Sequence, residues 1–97
     1  MGKTIHGHRS LYARSPEYIS WLNMRSRCTD TNYKSFDKYG GKGIRVCAAW
    51  VDDFAQFLAD MGPRPAGHTL DRRDSDKDYT PDNCRWLTNI EQQRNKK

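Results

Sequence analysis

No run of apolar residues in this chain is long enough to span a bilayer, and the first residues lack the apolar core of a signal peptide. Both absences lead to the expectation of a soluble, cytoplasmic protein with no membrane partner. The cysteines, Cys28, Cys47 and Cys84, include no C-x-x-C pair, and their odd number suits a reducing compartment better than a disulfide framework. They read as small buried hydrophobes, or as a structural zinc site completed by His68. Acidic residues are missing from Met1 to Arg14, which carries Lys3, Arg9 and Arg14 with His6 and His8 and reads as a flexible basic arm. There is no serine-nucleophile triad, no paired-carboxylate spacing, no repeat and no internal boundary. Residues 15–97 are therefore expected to form one domain.

The charge that is present is uneven. Hydrophobic residues make up 35% of the chain and charged residues 30%, so the core must be modest and much of the chain must be surface. The formal net charge of +5 favours an anionic partner, with nucleic acid foremost. Residues 1–51 hold nine Lys and Arg against three acids, residues 52–65 are net −2, and residues 66–97 are net +1. Attraction to phosphates thus resides mainly in the first half.

Ser15-Pro16-Glu17 starts a helix by cap, first-turn proline and acid at the positive end, with Tyr18, Trp21, Leu22, Arg25 and Cys28 following at helical spacing. A weak helical segment is expected around residues 32–38. In Tyr39-Gly40-Gly41-Lys42-Gly43 the glycines either fit a turn closed to other residues or bring backbone N–H groups to a phosphate. No P-loop spacing is present. Residues 44–47 read as a short strand. Asp52-Asp53 opens a helix whose Phe54, Phe57, Leu58 and Met61 make a core stripe, ended by Gly62 and Pro63. Trp50 and Trp86 read as core.

The last third carries the chemistry. His68 to Arg72 and Cys84 to Leu87 read as strands flanking a polar loop, and Thr88 with Glu91 is a capping box opening a helix toward Lys97. The fold expected is α+β, a C-terminal ββα unit packed against N-terminal helices. Asp74-x-Asp76-x-Asp78 is no EF-hand loop, because Tyr79 stands where its glycine belongs and Arg85 where its glutamate belongs.

The pattern Leu70-Asp71-Arg72, Asn83 to Thr88, Glu91-Gln92 and Asn95 resembles the HNH (ββα-metal) endonucleases, and with residues 39–47, Trp50, Phe54 and Phe57 the small bacteriophage-type proteins among them. The resemblance covers roughly residues 18 to 95. It implies cleavage or nicking of duplex DNA with Mg²⁺ or Mn²⁺ in an infected bacterial host. The metal ligands would be Asp71, Gln92 (where the family has Asn or His) and Asn95. Asn83 would be structural.

One departure bears on the chemistry. The family's general-base histidine is here Arg72, which cannot accept a proton but can clamp a phosphate. His68, the other catalytic candidate, lies roughly 13 Å back along the strand, which leaves Tyr79 or a metal-bound water as base. Lys42, Arg45, Arg73, Arg85, Arg94, Lys96 and Lys97 are the nucleic-acid-binding candidates, the last helix lying against the minor groove and backbone. The alternative reading is a non-catalytic module on the same fold that binds nucleic acid or a host protein.

Overall fold

The computed structural model describes residues 15–95, with side chains as far as Gln92. The basic arm, residues 1–14, lies outside the described residues.

Helix α1 spans Pro16–Thr29 and starts where the cap chemistry places it: the Ser15 side chain accepts from the Tyr18 backbone N–H at 3.1 Å. Its buried face is Tyr18, Ser20, Trp21 and Met24. Leu22 stays exposed and Arg25 half-buried, so the buried stripe is narrower than the spacing suggested and runs through Met24 instead. The segment after it forms turns and a 3₁₀ turn over Phe36–Lys38, then a second over Gly40–Lys42. Gly40 is a close-approach residue, since a Cβ there would lie 2.3 Å from the Cys28 carbonyl oxygen.

Residues 44–47 do not form the strand expected of them. Val46 makes only an isolated parallel bridge to Tyr79 in the hairpin loop, because just beyond Tyr79 the loop turns into the 3₁₀ turn Pro81–Asn83 and offers no further extended backbone to pair with. A short helix α2, Ala48–Val51, follows, and α3 spans Phe54–Met61. The Asp53 side chain caps α3 by accepting from Gln56 N, and Gly62 closes it at φ +70.

Strand β1 (His68–Arg72) pairs antiparallel with β2 (Cys84–Thr88), Leu70 opposite Trp86 and Asp71 opposite Arg85. Helix α4, Asn89–Asn95, follows at once. Helices and a two-stranded sheet thus make an α+β arrangement. The core is aromatic: Phe54 meets Tyr18 edge-on at 5.0 Å and Phe57 meets Trp50 at 4.9 Å, while Phe57 also reaches Trp86 of β2 at 6.2 Å. Each indole N–H finds an acceptor, Trp21 the Trp50 carbonyl, Trp50 the Asp60 carboxylate and Trp86 the Met61 carbonyl, so these bulky groups are buried without stranding a donor. Arg64 ties α1 to the entry of β1, donating from Nε to the His68 carbonyl at 2.6 Å and from a terminal nitrogen to Ser20. Among the described residues no helix is long and apolar enough to cross a membrane.

Candidate functional site

Residues facing each other across an antiparallel pair share a face of the sheet. Leu70, Trp86 and Cys84 pack on the core, so Thr69, Asp71, Arg85 and Leu87 occupy the opposite face. Helix α4 lies over that second face, and the Gln92 amide nitrogen hydrogen-bonds Thr69 Oγ1. The capping box sets the helix start: Glu91 N donates to Thr88 Oγ1 at 3.1 Å, and Thr88 N donates to Glu91 Oε1 at 3.0 Å. These bonds hold the Glu91 carboxyl below its ordinary pKa.

A cavity of about 370 Å³ runs along the free edge of β1, lined by Asp71, Arg72, Gln92, Arg27, Tyr39 and Tyr79 among others. Asp71 lies beside the helix, with its Oδ2 accepting from Arg85 Nε at 3.1 Å. No bond engages its Oδ1 among the described residues.

Arg72 is tied down on its own loop. One terminal nitrogen donates to the carbonyls of Ser75 (2.7 Å) and Lys77 (2.8 Å), and the guanidinium lies 5.2 and 5.1 Å from the Tyr39 and Tyr79 ring centres. Those two rings stack at 6.4 Å. Arg27, from the last turn of α1, comes within 5.3 Å of the same Tyr39 ring and donates to the hydroxyls of Tyr33 and Tyr79. Burial opposes the Arg27 charge, but these hydrogen bonds outweigh it and raise its pKa.

Comparisons with protein-family models, curated proteins and solved structures give no match for this chain.

The chain thus brings Asp71, Arg72 and Gln92 to one cavity. His68 is elsewhere: it faces Thr88 at the far end of the hairpin, and its Nδ1 lies 2.9 Å from the Ala66 carbonyl oxygen. Tyr79 is a poor base as well. It is 1% exposed, and burial raises its phenol pKa, partly offset by Arg27, so it stays protonated at neutral pH.

The zinc reading with all four ligands does not survive the strand register. Cys84 pairs with Arg72 and His68 with Thr88, about 13 Å apart along the sheet, whereas zinc ligands sit roughly 2.0–2.3 Å from their ion. Burial instead raises all three thiols, Cys84 to about 12 and Cys28 to about 11. Among the described residues no three His, Cys, Asp or Glu side chains gather as metal ligands.

Asn83 organises the hairpin loop: its carbonyl oxygen accepts from Asp74 N, and its amide donates to the carbonyls of Asp74 and Asp78. Lys42 is occupied, paired with Asp76 at 3.0 Å, and Arg85 by Asp71. Arg45 and Arg73 are exposed. The side chains of Arg94 and Asn95, and all of Lys96 and Lys97, lie outside the described residues.

Sequence reasoning missed Arg27 and the stacking of Tyr39 on Tyr79. The signal was there for Arg27: it falls three residues after Met24, toward the helix's buried side, where a cation needs a reason.

The donor atoms suit a hard divalent ion to a limited degree. Asp71 Oδ1 and the Gln92 carbonyl are oxygens, the type that Mg²⁺ or Mn²⁺ prefers, and such ions commonly keep water and substrate phosphate as further ligands.

Proposed function

We propose that this protein is a DNA-binding endonuclease of the HNH type, cleaving or nicking duplex DNA with a divalent metal, as a bacteriophage protein in the cytoplasm of an infected bacterium. The observation that carries the reading is the meeting of Asp71, Gln92 and Arg72 in one cavity at the junction of hairpin and helix. Asp71 and Gln92 would hold Mg²⁺ or Mn²⁺. When bound, the metal lowers the pKa of its water and polarises the phosphate.

The chain's own residues do the positioning. Arg85 fixes Asp71 through Oδ2, leaving Oδ1 turned to other partners. Thr69 holds the Gln92 amide nitrogen, which sets the direction of its carbonyl. Arg72 keeps the hairpin loop in shape through Ser75 and Lys77 while it also lines the cavity. Arg72 and the protonated Tyr79 offer no base to an attacking water, so the chain's own contribution is to bind and orient.

A second reading rests on the ion pair between Asp71 and Arg85. An arginine already neutralising the one carboxylate of the cavity lining weakens its hold on a cation, and it favours a non-catalytic module that binds nucleic acid or a host protein. Plasmid nicking with Mg²⁺ and Mn²⁺, using wild type and Arg72→His, separates the two. Metal-dependent nicking lost in Asp71→Ala supports the nuclease. Absence of nicking in both proteins with every divalent metal leaves the binding module.

A further inference from the structure

Two guanidinium groups line the same cavity, from different parts of the fold, and neither has a carboxylate partner among the described residues. Among the described residues the ion pairs are Arg25–Asp52, Lys42–Asp76 and Arg85–Asp71. Arg27 contacts only the phenols of Tyr33 and Tyr79 and the face of Tyr39, and Arg72 only two backbone carbonyls and the tyrosine rings. Both side chains are half-buried. The phenols hold the Arg27 guanidinium in its charged form through hydrogen bonds, but as neutral groups they leave its charge uncompensated. The lining holds one carboxylate, and Arg85 already neutralises that group. The two arginines of the lining therefore outnumber its carboxylate.

We infer that Arg27 and Arg72, set around the stacked Tyr39 and Tyr79, form a binding pocket for a phosphate group. Its position next to Asp71 assigns it to the phosphodiester backbone of nucleic acid, and to that extent the inference rests on the nucleic-acid reading above. Arginine is the residue suited to this task, because its planar fork offers donors in the geometry of phosphate oxygens. Arg27 keeps a terminal nitrogen free of protein partners among the described residues, and the tyrosines hold its plane in place. The N-terminal helix thus contributes a phosphate-binding residue to a site otherwise built by the hairpin and α4.

The test measures binding of a short fluorescent duplex by anisotropy over a series of KCl concentrations. Arg27→Gln keeps the hydrogen bond to a tyrosine and loses the charge. It is expected to bind about tenfold more weakly and to lower the slope of log K against log salt by about one. Arg27→Lys restores the charge without the fork, and it is expected to recover the slope but only part of the affinity. A folded Arg27→Gln that binds duplex with wild-type affinity and slope overturns the proposal and leaves the nucleic-acid reading standing.

Because Arg27→Gln can fail to fold, the wild type carries a second measurement: the Arg27 Nε–H resonance during titration with inorganic phosphate against chloride at equal ionic strength. A saturating shift supports the pocket, and displacement of phosphate by duplex identifies the backbone as its source. A saturating shift with no duplex binding keeps the phosphate pocket and removes the nucleic-acid reading. No shift with phosphate or duplex overturns the pocket.

Discussion

Asp71 and Arg85 set the balance at the scale of single residues. Their side chains are each about a quarter exposed (26% and 28%), so the pair is neither free in water nor sealed from it. Asp71→Ala is expected to reduce Mg²⁺- or Mn²⁺-dependent nicking at least about a hundredfold while duplex affinity stays within about twofold, since removing an acid does not weaken attraction to a polyanion. Nicking and anisotropy on the same preparation check both halves. Arg85→Gln removes the competing cation, and Mn²⁺ binding, followed by paramagnetic line broadening, is expected to tighten on the order of tenfold. Unchanged Mn²⁺ affinity in that variant would show that the ion pair does not hold Asp71 away from a metal.

Secondary-structure elements here start and stop by local chemistry. Thr88 and Glu91 exchange hydrogen bonds at the start of α4 and place Gln92 over Thr69. Thr88→Ala is expected to cost about 1 kcal/mol of stability and to weaken any function that depends on Gln92, as denaturant unfolding and duplex binding would show. The pH dependence follows from the lowered Glu91 pKa. A carboxyl whose folded pKa is depressed contributes stability that is present above its unfolded value, about 4.5, and lost as pH falls through the folded one. The difference between wild type and Glu91→Gln in thermal unfolding should therefore be full at neutral pH and shrink in acid. A difference that persists undiminished in strong acid would mean that the cap does not depend on the charge.

Stability of the whole molecule rests on an aromatic core closed by tight backbone contacts. Gly40→Ala drives a Cβ into the Cys28 carbonyl oxygen and the Phe36 ring, where the backbone side cannot rotate away, and is expected to cost about 1–3 kcal/mol. Chemical denaturation measures it, and a loss below a few tenths would show that the contact relaxes. The thiols predict an alkaline limit. Cys84 and Cys28 are raised from 9.0 to about 12 and about 11 by burial, so the folded state binds protons more strongly than the unfolded chain. Their contribution is full below about pH 9 and is lost as pH climbs through the folded values. Alkylation at pH 8 should consequently be slow in the native protein and fast in denaturant; rapid native labelling of Cys84 would contradict its burial.

The chain alone determined the parts that depend on neighbours a few residues away. Ser15, Asp53 and Thr88 mark their helix starts because a side-chain oxygen can reach an N–H two or three residues on, and Gly62 ends α3 because its φ of +70 suits a residue without a Cβ. Alternation over residues 68–72 was enough to name β1. Pairing across long stretches of sequence was decided only in three dimensions. Arg85 carries no mark that it will neutralise Asp71, 14 residues earlier, until the register sets them opposite each other. Nor does Arg72 show in sequence that the loop it precedes will curl back to take its hydrogen bonds. Residues 44–47 have strand composition, but a strand needs a partner of its own length, and the fold offers them one bridge to Tyr79. Arg27 and Arg72, 45 positions apart in the chain, meet at the same tyrosine ring because α1 packs where the glycine turn lets Tyr39 return to it, and no local pattern encodes that approach.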